Sequence, residues 1–154
     1  MSGRILTTEA EFADVIRGMK TVGVVGIKDG KRPDAPAFTI PSMLAEQGYR
    51  IVGINPMVSQ ALGRPVLASL AALEERVDVL DVFRRSDAIP ELADEILALP
   101  EALRPGTVWL QSGIRDDGSA ARVLRPPPKR NNPSKCSARC VARASTSGGR
   151  RRSR

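Results

Sequence analysis

Histidine is absent from all 154 residues. That removes the commonest general base, the Ser-His and Cys-His nucleophile pairs, and any phosphohistidine step. Aromatic side chains are scarce, limited to Phe12, Phe38, Phe83, Tyr49 and Trp109, so a core must be assembled from Val, Ile, Leu and Ala. No stretch reaches the roughly 18 consecutive apolar residues of a membrane span. The N-terminus, Met1-Ser-Gly-Arg4 followed by Thr8 and Glu9, lacks the apolar segment of a signal peptide. The expected location is the cytoplasm. Acidic residues are missing from Arg125 to Arg154, which holds ten Lys or Arg; residues 1–124 keep 14 basic against 17 acidic groups. The net charge of +7 therefore belongs to the last thirty residues, and the remainder is mildly acidic. Cys136 and Cys140 also lie in that segment. Their Cys-x-x-x-Cys spacing lacks a second ligand pair, so no metal site is expected.

What is present is organised around Thr21-Val-Gly-Val-Val-Gly-Ile-Lys-Asp29. An apolar, Val-rich run that ends on glycine and passes through a polar loop into a helix is the opening βα unit of a parallel sheet. Gly26 stands where the strand must turn and let a ligand approach. Gly23 either does the same or permits tight packing. Lys28, Lys31 and Arg32 bring positive charge to the loop that follows. Ahead of this unit, Thr8-Glu-Ala-Glu11 has capping-box spacing, and Phe12, Val15, Ile16 and Met19 follow at helical intervals. A short amphipathic helix ending near Gly18 is expected.

After the first strand, Thr39 as cap, Pro41 in the first turn and Gly48 as terminator predict a helix. Tyr49 to Ile54 is the second strand. A dinucleotide fold places Asp or Glu near the end of this strand to take the adenosine ribose; here the residues are Asn55-Pro56, which weakens an NAD(P)-dependent oxidoreductase reading. Residues 55 to 65 read as a loop, Pro65 to Leu67 as a minimal strand, and Ser69 to Arg76 as a short helix. Val77 to Phe83 is a strand ending in Arg84, with Ser86 or Asp87 capping a helix through Ile89, Leu92, Ala93 and Ile96. Asp81 lies late in that strand as either a catalytic group or a structural partner of a backbone amide. Thr107 to Gln111 is another strand, and a last helix is expected near Asp117. The alternation implies a three-layer, doubly wound α/β sheet with its crevice at the carboxyl edge, where Lys28, Asn55, Arg84 and Gln111 end their strands.

The ordered series Val24-Val-Gly-Ile27, Gly48-Tyr-Arg-Ile-Val52, Ile54-Asn-Pro56, Leu62-Gly63, Ser69-Leu70, Val77-Asp78, Asp81-Val-Phe-Arg84 and Val108-Trp-Leu-Gln-Ser-Gly-Ile114 resembles the small stand-alone coenzyme A-binding proteins. These are Rossmann-like domains similar to the nucleotide-binding part of the succinyl-CoA synthetase α-subunit. The resemblance covers roughly residues 4 to 122. It implies that the chain binds coenzyme A (CoA) or an acyl-CoA, with no established reaction. By that resemblance the turn of Gly26, Ile27 and Lys28 takes the pyrophosphate on backbone amides, with Arg32 nearby. Asn55 and Pro56 line the adenosine side, Phe83 and Arg84 meet the nucleotide, and Gln111 with Gly113 closes the crevice near the pantetheine. Lys28 stands where family members commonly carry a small residue, often Ser.

The larger synthetases that share this domain pass phosphate through a histidine on another segment, so a binding module is expected here rather than an enzyme, with no catalytic residue assigned. A carrier, a regulator sensing acyl-CoA, a subunit awaiting a partner and a homo-oligomer are all compatible. After Arg122 the resemblance stops. The division expected is a CoA-binding domain over 1–124 and a disordered basic tail over 125–154. Three readings compete for the tail: an arm that binds nucleic acid or an acidic partner, an extension without function, and a shifted reading frame that removes an edge strand, which is preferred.

Overall fold

The computed structural model describes residues 4–114, 116–124 and 140–143. In chain order its elements are β1 (Arg4–Leu6), α1 (Glu9–Gly18), β2 (Thr21–Val25), α2 (Pro36–Glu46), β3 (Arg50–Ile54), β4 (Gln60–Ala61) and β5 (Arg64–Pro65). Then come β6 (Val79–Val82), α3 (Ile89–Ala98), β7 (Thr107–Leu110), α4 (Asp117–Leu124) and β8 (Cys140–Arg143). Six strands form one sheet in the order β1-β8-β7-β6-β2-β3, and every pairing in it is parallel. This is the expected Rossmann-like α/β architecture.

Strand β2 lies between β3 and β6. The chain after β2 goes one way in the sheet and the chain after β3 returns to the other side, so the strand order reverses beside β2. That reversal opens a crevice at the carboxyl ends of β2 and β6. Both sheet faces are covered, which explains the absence of alternation in the strand sequences. On one face, Val25, Leu80, Val82, Val108 and Leu110 pack with Leu92 and Ile96 of α3 and Val123 of α4. On the other, Val22, Val24, Ile27 and Ile51 pack with Met19, Leu44 and Phe83. Gly23 belongs to tight packing: a Cβ there would meet Leu80 Cδ1 at 3.0 Å.

Helix α1 begins as its sequence requires, with Glu11 N–H donating to Thr8 Oγ1 (3.3 Å) and Thr8 N–H donating to Glu11 Oε2 (3.1 Å). The amides of Thr7 and Thr8, both donating to Oε2, hold the Glu11 carboxyl below the usual carboxylate range. Its Phe12 ring meets Trp109 edge-on at 5.3 Å.

Several expectations are corrected. Helix α2 starts at Pro36 rather than at Thr39. Thr39 is one turn inside, its hydroxyl donating to the carbonyls of Pro33 and Ala35, and Pro41 is an interior residue. Residues 55 to 65 are not simply a loop: β4 and β5 pair through a tight turn at Leu62 (φ 51°) and Gly63 (φ 70°), the two left-handed positions of a hairpin connection. Ser69 to Arg76 contains a single 3-10 turn, Leu70–Ala72, instead of a helix. Neither Ser86 nor Asp87 caps α3; both belong to a 3-10 turn that leads into it, and the cap position is Ala88.

The largest difference concerns the basic segment. It was expected to leave the sheet short of an edge strand, yet Cys140–Arg143 forms β8, inserted between β7 and β1. The remaining expectations for the tail fall on residues 125–139 and 144–154, outside the described residues. Cys136 is among them.

Candidate functional site: a cationic cleft at the strand switch

Strand β2 ends at Val25, and Gly26 turns the chain with φ 86°. A Cβ at Gly26 would stand 2.5 Å from the Phe83 carbonyl oxygen, so the chains leaving β2 and β6 touch at a point where only glycine fits. Above this contact lies a cleft of about 380 Å³ lined by Gly26, Lys28, Asn55, Pro56, Phe83, Arg84, Arg85, Asp87 and Ala88. Its size falls within the usual range for small-molecule sites.

Six of the ten residues expected to bind the ligand line this cleft: Gly26, Lys28, Asn55, Pro56, Phe83 and Arg84. The other four are elsewhere. Ile27 is 1% exposed, and its side chain belongs to the core. Arg32 is exposed and outside the cleft lining. Gln111 turns to the sheet and donates through Nε2 to Asp81 Oδ1 at 2.6 Å. Gly113 adopts φ 85° in the turn after β7, away from the cleft. Asp81 accordingly has a side-chain amide as its partner, together with the Val82 backbone.

The phosphate turn also differs in detail. Its amides were expected to face a ligand, but Gly26 N–H donates to Ile54 O at 2.8 Å and Lys28 N–H to Ala37 O at 3.1 Å. The second bond has a cause in the sequence. Pro41 supplies no N–H to α2, so the Ala37 carbonyl one turn earlier is left for another donor, and Lys28 provides it. Pro41 thereby fixes the loop from inside the helix. Asn55 is similarly engaged: Nδ2 donates to Ile27 O at 2.8 Å, and Oδ1 accepts from Met57 N–H at 2.9 Å. This buried amide ties the ends of β2 and β3 together and shapes the cleft wall.

Among the described residues, three cations and one carboxylate line the cleft. Arg84 is steadied by Glu95 at 3.5 Å and Arg85 by Asp87 at 3.2 Å, while Lys28 has no ion pair among the described residues. The amino end of α3 begins beside Ala88 without a side-chain cap, adding the positive end of a helix dipole. Arg85, Asp87 and Ala88 were missed by the sequence reading. Their position just beyond the end of β6, the strand beside the switch, is the signal that finds them. Among the described residues no group of His, Cys, Asp and Glu could hold a metal ion.

The family model described as "CoA binding domain" matches residues 20–142. The chain belongs to the CoA binding domain family. Its relatives include "Uncharacterized protein YneT" of Bacillus subtilis (strain 168), 31% identical over 107 residues, covering 70% of this chain and 75% of that protein. A solved structure described as cell-free ID.343 from Thermus thermophilus is 34% identical, with TM-score 0.70 over 88% of this chain and 91% of that one. A hypothetical protein from Pyrococcus horikoshii OT3, 19% identical, shares the fold at TM-score 0.69, covering 89% of this chain and 85% of its own. The match of the CoA binding domain model runs through the first three residues of β8. No described helix is long and apolar enough to cross a membrane.

Proposed function

We propose that the chain binds coenzyme A or an acyl-CoA in the cleft at the carboxyl edge of its sheet and runs no reaction of its own. The observation that carries this reading is the charge of the cleft. Lys28, Arg84 and Arg85 surround a space in which Asp87 is the sole carboxylate among the described residues, and coenzyme A is a polyanion with phosphates at both ends of its nucleotide. Family membership supports the same ligand. In this reading Phe83 and Pro56 supply apolar surface for the adenine, Arg84 is held ready by Glu95, and Lys28 reaches the pyrophosphate with its side chain. The last assignment replaces the amides of Gly26 and Lys28, which are bonded within the protein.

An NAD(P)-linked activity has less support. The position where a ribose-binding carboxylate is needed holds Asn55, whose side chain is engaged by Ile27 and Met57. The absence of histidine from the whole chain underlies the assignment of a binding role.

Calorimetry with coenzyme A, dephospho-coenzyme A, NAD and ATP tests the reading. Coenzyme A is expected to bind most tightly and, at a hundred times its Kd, to stabilise the fold by about 2.7 kcal/mol. Heat with NAD and none with coenzyme A overturns it.

A further inference from the structure

A second cavity, about 270 Å³, lies on the sheet face between α1 and α2, apart from the cleft and sharing no lining residue with it. Its walls are Val15 of α1, Met19 just past the end of α1, and Ile40 and Leu44 of α2, above Val79 and Trp109. Apart from the indole, its polar lining consists of Asp81 and Gln111. Asp81 is only 5% exposed. It accepts Gln111 Nε2 at 2.6 Å, and no cation pairs with it among the described residues. Burial pushes its carboxyl up to about 6, against the opposing pull of its amide partners.

A buried carboxylate without a counter-charge, at the floor of an apolar cavity, is costly to maintain. We propose that this cavity binds a small apolar primary amine. The ammonium is placed on the Asp81 carboxylate and the Gln111 side-chain oxygen, and the hydrocarbon body lies between the helices. Gln111 spends its N–H on Asp81, so its carbonyl oxygen is left as a second acceptor for the ligand. Trp109 adds the face or edge of an indole beside the positive charge, an interaction available to ammonium groups and not to their neutral analogues. Anionic ligands are excluded by Asp81. The site is independent of the CoA reading, because it rests on different residues and a different charge.

Trp109 is the chain's single tryptophan, so intrinsic fluorescence reports on this cavity directly. The full chain is titrated with phenethylamine and with 2-phenylethanol, the neutral analogue of similar shape, in the presence and absence of coenzyme A. Phenethylamine is expected to bind at least tenfold more tightly and to shift the methyl resonances of Met19, Ile40 and Leu44. Coenzyme A should leave both affinities unchanged. Asp81→Asn keeps an acceptor for Gln111 and should abolish the tenfold preference, whereas Val79→Phe, which fills the floor, should weaken both compounds. Equal affinity of amine and alcohol in the unsubstituted chain overturns the proposal without any variant. So does displacement of the amine by coenzyme A, and so does a preference that survives in Asp81→Asn.

Discussion

Asp81→Asn should stabilise this protein, and the gain should depend on pH in a defined direction. Asp81 is nearly enclosed by the sheet and the two helices above it, and its carboxyl is pushed from 3.8 up to about 6 by loss of solvent, with Gln111 and the Val82 backbone opposing. The folded state therefore holds the Asp81 proton more tightly than the unfolded chain does. Stability from this group is fully present below pH 3.8 and is lost as pH rises to about 6. The displacement corresponds to about 3 kcal/mol at neutral pH. Asparagine occupies the same volume, keeps an oxygen for Gln111 Nε2 and carries no charge, so the variant escapes this loss. The gap in unfolding free energy between variant and parent should widen by about 2 kcal/mol between pH 4.5 and pH 7.5, equivalent to a Tm difference of roughly 4–8 °C. Carboxylates with the opposite sign, Glu11 and Asp116, are held below their ordinary values by backbone amides and lose stability in acid. They occur in both proteins and cancel in the difference. Urea unfolding followed by far-UV circular dichroism at several pH values gives the measurement. A gap that stays constant, or that grows toward acid, refutes the reasoning.

Gly26→Ala should cost roughly 1–3 kcal/mol for the backbone conformation alone, with the clash against the Phe83 carbonyl in addition; a thermal melt unchanged from the parent would contradict the close approach described. Pro41→Ala offers the Ala37 carbonyl a donor within α2, in competition with Lys28. Affinity for coenzyme A by calorimetry should fall roughly three- to tenfold while Tm holds or rises. Arg84→Ala should weaken coenzyme A binding roughly tenfold or more, and added salt should narrow the difference from the parent. Ending the chain after Leu124 removes a strand that makes three residue pairings with β1 and four with β7; at roughly 0.5–1 kcal/mol each the loss is several kcal/mol, and an unaltered melting curve would argue against β8.

The parts of the fold legible in the sequence are those specified by local chemistry. The Val-rich run of β2, the capping box of α1 and the glycine at position 26 each have a physical reason confined to a few neighbouring residues. Elements whose reason lies far away in the chain were less visible. Strand β1 is three residues long and is defined by pairing with β8, more than a hundred residues later; β8 sits in a segment whose composition carries no strand signal. Thr39 and Pro41 misplaced the start of α2, because a threonine inside a helix can return its hydroxyl to a carbonyl one turn earlier and so resemble a cap only in sequence. At the site, strand ends pointed to the carboxyl edge of the sheet, where Gly26, Asn55, Phe83 and Arg84 line one cleft. They could not show that Gln111 turns back to the buried Asp81, since that depends on the register of β7 against β6. Nor could they show that the Gly26 and Lys28 amides are consumed by Ile54 and Ala37.

The place of β8 in the sheet also sets a timetable for assembly. Strand β1 has β8 as its neighbour, so it must stay unattached while the ribosome produces the residues between them. The four adjacent strands β7, β6, β2 and β3 have all they need to associate before residue 125 appears. Docking of β1 and β8 then becomes a single late event, slow to start and quick to be undone.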